Sequence, residues 1–160
     1  MHSFDELLEA LRTGELSLGP YQIQELIGEG GMGMVFRATH RILKSQRAIK
    51  IIRPECITSR ASIERFYREI ELVSRLSHPN IVLAHDAGQE GDLHYFVMEH
   101  APGDDLAKIL RSRGPLSIHR ACDYIRQAAE GLEHVREHGL VHRDIKPSNL
   151  LVTDEKEIIK

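Results

Sequence analysis

The stretch His142-Arg143-Asp144-Ile145-Lys146-Pro147-Ser148-Asn149 decides how this chain is read. Its polar residues have separable chemistry. Asp144 offers a carboxylate that can orient a substrate hydroxyl and accept its proton. Lys146, two residues on, brings a cation that can neutralise a transferring phosphoryl group. Asn149, five residues after the acid, offers an amide oxygen to Mg²⁺. A base, a cation and a metal-binding amide this close together suit phosphoryl transfer, which depends on positioning and charge.

Upstream lies a second run, Gly28-Glu29-Gly30-Gly31-Met32-Gly33-Met34-Val35, with the spacing G-x-G-x-x-G-x-V. Alone this spacing is ambiguous. A dinucleotide-binding loop runs into a helix and carries an acidic ribose ligand about 20 residues on. Here Val35-Phe36-Arg37-Ala38-Thr39 follows, which favours a strand and has no helix start signal, so strand–loop–strand fits better. In that arrangement Gly28, Gly30 and Gly33 let backbone approach phosphates with no Cβ in the way. Without its context, a glycine-rich hairpin with no ligand reads equally well.

The octapeptide closely matches the H-R-D-x-K-x-x-N signature, so the chain resembles a eukaryotic-type Ser/Thr protein kinase of bacterial flavour. Lys146 favours Ser/Thr over tyrosine kinases, which typically carry Ala-Ala-Arg or Arg-Ala-Ala there. The resemblance implies Asp144 as catalytic base, Lys146 as transition-state cation and Asn149 as a Mg²⁺ ligand. Arg47-Ala48-Ile49-Lys50 is similar to the family's V-A-I-K strand, with Ala48 over adenine and Lys50 on the α- and β-phosphates. Its expected partner is Glu69, bordering an apolar stripe of Ile63, Phe66, Ile70 and Val73 at helical spacing. Outside that context Glu69 reads as a surface partner of Arg65. Ile27 and Val35 join the implied nucleotide contacts. Phe96 to Leu106 resembles the hinge: Met98 as gatekeeper, Glu99 and Ala101 offering backbone groups to adenine, and Asp105 as ribose ligand or helix N-terminal acid. Leu151 is the implied floor under adenine. Arg143 would meet a phosphorylated activation loop, with Arg65 as a second contact.

Composition agrees with this reading without producing it. The chain has 160 residues, 41% hydrophobic and 28% charged, which suits a globular domain with a sizeable core. A net charge of −3 and the lack of a basic stripe with interleaved aromatics argue against a nucleic-acid partner. The two cysteines, Cys56 and Cys122, share no metal-type spacing and point to reduced thiols and a cytoplasmic location. No apolar run reaches membrane-spanning length, and no secretory leader is visible.

The expected fold is α+β and protein-kinase-like. Residues 1–20 read as an amphipathic helix (residues 3–13) and a linker, with docking on the small lobe expected. Residues 21–99 read as a complete small lobe, a five-stranded antiparallel sheet plus a helix. Residues 100–160 read as hinge and the first part of a helical large lobe. Ile118 to His138 is the expected long helix, its apolar face running from Ile118 through Ala121, Cys122, Ile125, Ala128, Ala129 and Leu132 to Val135. Its end, His134-Val135-Arg136-Glu137-His138, also matches a zinc metallopeptidase pattern, H-x-x-E-H. No third ligand stands out, and the kinase reading already accounts for this helix.

The family's Asp-Phe-Gly or Asp-Leu-Gly, which carries the main Mg²⁺ ligand, does not occur in this sequence. The expectation is therefore an N-terminal portion of a kinase domain using ATP and Mg²⁺, inactive alone and prone to associate through an uncovered large-lobe face. A nonenzymatic nucleotide-binding or protein-interaction module is the alternative.

Overall fold

The computed structural model describes Ala10, residues 16–154 and residues 157–160. The expected helix at 3–13 lies outside the described residues except for Ala10, which packs against the core of the first unit. The chain divides into two compact units. One takes the described residues up to Ser74 together with Ala84–His100; the other takes Arg75–Leu83 and Ala101–Lys160.

The first unit is built on a six-stranded antiparallel sheet. Its strands are β1 (Ser17–Leu18), β2 (Tyr21–Gly30), β3 (Gly33–His40), β4 (Gln46–Ile52), β5 (Ala84–Glu90) and β6 (Leu93–Glu99), in the order β1-β2-β3-β4-β6-β5. The five expected strands are joined by β1, a two-residue strand on the edge of β2. Alternation of side chains decides what is buried. Phe36 pairs with Ile49 and Ile49 with Val97, and all three are almost fully buried. Met34, Ala38, Ile51 and Tyr95 fall on the same face, which Leu16, Leu18, Tyr21 and Ile23 complete as one cluster. The opposite face carries Val35, Lys50 and Phe96 in register, and Ala48 opposite Met98.

Helix α1 (Arg60–Val73) starts at a reciprocal cap between Ser59 and Ser62. Its stripe of Ile63, Phe66, Ile70 and Val73 is only half-buried. Docking rests on aromatic and polar contacts instead. The Tyr67 hydroxyl donates to Gly88 O at 3.0 Å and bonds His94 Nδ1 at 3.0 Å, while Phe66 packs edge-on to Tyr67 and His94. With the hydroxyl proton on Gly88 O, His94 Nδ1 is the donor. Burial pushes the His94 pKa down, so the ring stays neutral. His94 shares the Phe96 side of β6, so α1 lies on the face that carries Lys50.

The second unit pairs β7 (Gly103–Asp105) with β8 (Leu151–Thr153) and holds α2 (Leu106–Arg113) and α3 (Ile118–Glu137). Leu106, Ile109, Tyr124, Leu150, Val152 and Ile159 form its core. The covered side of α3 is centred on Tyr124 and Gly131, so the expected stripe is only partly covered: Ala128 packs against the core, and Ala121, Leu132 and Val135 are half-buried. Ile118 is 84% and Ile125 61% exposed, and Cys122 and Ala129 are exposed with them. At 100° per residue the buried side is turned roughly a quarter of the circumference from that stripe. Asn80 donates its side-chain amide to Gln127 Oε1 and Ile159 O, and a Cβ on Gly131 would lie 2.9 Å from Asn80 O. No helix among the described residues is long and apolar enough to cross a membrane.

Glycines separate packing from other constraints. A Cβ on Gly33 would stand 2.1 Å from Ile51 O, whereas one on Gly30 would meet nothing within 4 Å. Gly33→Ala is expected to lower stability by about 1–3 kcal/mol, as overpacking does, and Gly30→Ala to leave it nearly unchanged. Urea unfolding of both variants checks this; equal midpoints would contradict it.

Candidate active site

The candidate residues fall into two sets, one in each unit. In the first unit, the β2–β3 hairpin carries the glycine-rich run, with Gly28 opposite Val35 and Gly30 opposite Gly33. Register shifts between Ile23 and Glu25 and between Leu26 and Gly28 loosen β2 before the tip, and Leu26 and Ile27 are exposed. Val35, Ala48, Lys50 and Met98 lie on the sheet face away from the main core; Ala48 is buried and the other three half-buried. Residues from three adjacent strands thus share one surface. Glu69 is exposed on α1, and among the described residues no ion pair joins it to Lys50. Glu99 and Ala101 are both half-buried.

In the second unit the acid, the cation and the amide converge. Lys146 Nζ lies 2.9 Å from Asp144 Oδ2, and Asn149 Nδ2 donates to Asp144 O at 2.8 Å and to Asp144 Oδ2 at 3.0 Å. The turn Pro147–Asn149 brings Asn149 back over Asp144, and Leu150 anchors that turn in the core. Arg143 has φ +66°, a left-handed conformation rare outside glycine, and is exposed. His142 is exposed, and its Nδ1 accepts from Asp144 N at 3.4 Å. The hydrogen-bonded Lys146 ammonium, then the Asn149 amide, hold the Asp144 carboxyl below the usual carboxylate range.

Both side chains that reach the Asp144 carboxylate use Oδ2. Among the described residues no donor reaches Asp144 Oδ1, and none reaches the amide oxygen of Asn149. One oxygen is thus open to a hydroxyl and the other to a cation. Asp105 and Leu151 face each other across β7 and β8. Asp105 caps α2, its Oδ1 accepting from Lys108 N at 2.8 Å, so the helix-terminal role is filled. Gly103 is needed for this pairing: its φ is +147° and a Cβ would sit 2.0 Å from Val152 O.

The histidines of the zinc-like pattern take another arrangement. The His134 and His138 rings lie 4.4 Å apart, His78 stacks on His134 at 5.2 Å, and His138 Nδ1 bonds His134 O. Among the described residues no cluster of three or more His, Cys, Asp or Glu could hold a metal ion. Sequence reasoning missed Arg53, which pairs with Glu29 of the glycine-rich run at 2.5 Å. It also missed Tyr124 as a core residue; an aromatic in a helical segment was the available signal.

A small antiparallel sheet carrying a glycine hairpin and a lysine, and a helical unit carrying an Asp–Lys–Asn loop, define the protein kinase class. The chain belongs to the protein kinase domain family, whose model matches residues 21–160. It is 40% identical over 139 residues to the serine/threonine-protein kinase PrkC of Bacillus subtilis, covering 87% of this chain and 22% of that protein. It is 37% identical over 152 residues to the serine/threonine-protein kinase PknA of Mycobacterium tuberculosis, covering 92% and 35%. The crystal structure of the Mycobacterium tuberculosis PknI kinase domain superposes with a TM-score of 0.80 at 26% identity, covering 91% of this chain and 60% of that one. The chain thus spans between a fifth and about a third of the length of these curated relatives.

The sign of the Asp144 shift fixes its pH behaviour. A depressed pKa means that its contacts to Lys146 and Asn149 are fully present above the ordinary carboxylate value and are lost as pH falls through the lowered one. Carboxyl NMR titration should show Asp144 ionised below the usual Asp range, and Lys146→Ala should move its midpoint upward. An unmoved midpoint in that variant would contradict the assignment.

Proposed function

We propose that this protein transfers the γ-phosphoryl group of ATP to Ser or Thr hydroxyls of protein substrates. The observation that carries this reading is the Asp144 carboxylate, fixed through Oδ2 by Lys146 and Asn149 with Oδ1 uncommitted. Asp144 Oδ1 orients the substrate hydroxyl and takes its proton. Lys146, already beside Asp144, offsets charge on the transferring phosphoryl group. Asn149 turns its amide oxygen to Mg²⁺, and Lys50 holds the α- and β-phosphates. When bound, Mg²⁺ would be held by Asn149 and would supply charge neutralisation at the phosphates. The glycine hairpin covers the phosphates, and the openness around Gly30 supports this: packing gives no reason for a glycine there. Val35, Ala48, Met98 and Leu151 take the adenine, with Ile27 beside them. Backbone groups of Glu99 and Ala101 bond it, and Asp105 reaches the ribose. Pairing of Lys50 with Glu69 is assigned to the active form, since that pair must be in place for catalysis in this family.

In the full-length protein, Asp144→Asn is expected to abolish phosphotransfer while leaving ATP binding largely intact. Lys50→Met should cost about 10²–10³ in rate, the scale of one positioned transition-state charge. Wild-type turnover in either variant, measured by phosphate incorporation, would sink the role given to that residue.

The 160 residues alone are expected to be inactive. Their sequence supplies no Asp-Phe/Leu-Gly ligand, and phosphoryl transfer depends chiefly on holding metal and phosphates in place. The exposed stripe of Ile118, Cys122, Ile125 and Ala129 supports association of this piece through the α3 face. Transfer to a generic basic protein that vanishes on Asp144→Asn would overturn the inactivity. A monomer in sedimentation would overturn the association, which is the central feature of the alternative reading as an interaction module.

A further inference from the structure

We propose that Arg53 is a positioning residue for the glycine hairpin, fastening its tip through Glu29; the inference rests on reading that hairpin as the cover of the ATP phosphates. The tip has little packing of its own. A Cβ on Gly30 or Gly31 would meet nothing within 4 Å, and Met32 is 68% exposed. Among the described residues, its attachments beyond the strand ladder run to residues 53–56. Arg53 Nη2 lies 2.5 Å from Glu29 Oε1. Arg53 N donates to Met32 O at 3.0 Å, and Cys56 Sγ approaches Gly31 O at 3.6 Å. Arg53 follows directly on Ile52, the last β4 residue paired with β3, so its backbone is fixed by the ladder. Pro54 stiffens the next turn, Pro54–Cys56.

The charge arrangement gives this contact a function. Glu29 places a carboxylate inside the loop that has to accept several phosphate charges, and an unpaired anion there would oppose the ligand. Arg53 cancels that charge with a charge-assisted bond and holds the backbone amides of the tip in one place. A tip already ordered loses less freedom when the ligand arrives. Both effects act on phosphates and neither acts on adenosine. That selectivity separates positioning from a general contribution to stability.

The test is equilibrium binding of Mg·ATP and of adenosine to the full-length protein, to Arg53→Gln and to the double variant Glu29→Arg/Arg53→Glu. Arg53→Gln is expected to raise the ATP Kd about two- to fivefold, the scale of one half-exposed ion pair. Adenosine affinity and the thermal midpoint stay unchanged, and amide exchange at Gly30 and Gly31 accelerates. The charge-swapped variant recovers most of the ATP affinity. An unchanged ATP Kd in Arg53→Gln, an equal loss for adenosine, or a swap no better than the single variant would overturn the proposal. Wild-type protein that binds adenosine no more weakly than ATP would instead overturn the reading of the hairpin, and the role of Arg53 with it.

Discussion

Side-chain alternation across β3, β4 and β6 is the constraint on which the first unit depends. Phe36, Ile49 and Val97 are opposite one another and buried, so their neighbours Val35, Lys50 and Phe96 are forced to the other face. A slip of one residue in β4 would carry Lys50 into the apolar cluster and put Ile49 on the open side. Burying an unpaired ammonium there would cost far more than the register gains. The core therefore aims Lys50, which needs no contact of its own to be presented on that face. Gly33 tightens the same constraint, because only a residue without Cβ lets β3 lie against Ile51 O.

The second unit solves a different problem, that of fixing three polar side chains in an exposed loop. All of His142 to Asn149 are exposed, so burial cannot position them. Hydrogen bonds do so instead: the Asn149 amide closes on both the backbone and the carboxylate of Asp144, and Lys146 closes from the other direction. Leu150 and Val152 then tie the loop to the Tyr124 core, and Leu106 N, donating to Leu150 O at 2.8 Å, ties it to the start of α2. The hydrogen-bonded Lys146 and Asn149 favour the ionised form of Asp144.

What the sequence made legible was local. The Asp144–Lys146–Asn149 set, the glycine hairpin and the alternating strands can be read within windows of a few residues, because spacing alone fixes which side chains can meet. What it hid was set by distant partners. Which part of the α3 face is covered goes with contacts such as Asn80 to Gln127, 47 residues apart, and the stripe from Ile118 to Val135 gave no sign that its Ala128 edge would be the covered one. Burial of α1 depends on Tyr67 meeting His94 and Gly88, and the stripe through Phe66 and Ile70 gave no sign that it would stay half-open. The expected Lys50–Glu69 pair is not formed among the described residues, and spacing along the chain does not say whether two such groups meet. At Asp105 the helix-terminal reading is met by the cap on α2.

The central claim is that one ATP molecule is held with its phosphates at Lys50. It is tested most directly by an adenosine carrying a lysine-reactive sulfonyl fluoride at its 5′ end, with the modified residue mapped by mass spectrometry in the full-length protein. The account predicts covalent labelling at Lys50 that Mg·ATP suppresses and that is absent in Lys50→Met. Labelling spread over other lysines, or labelling of Lys50 that Mg·ATP leaves untouched, would contradict it.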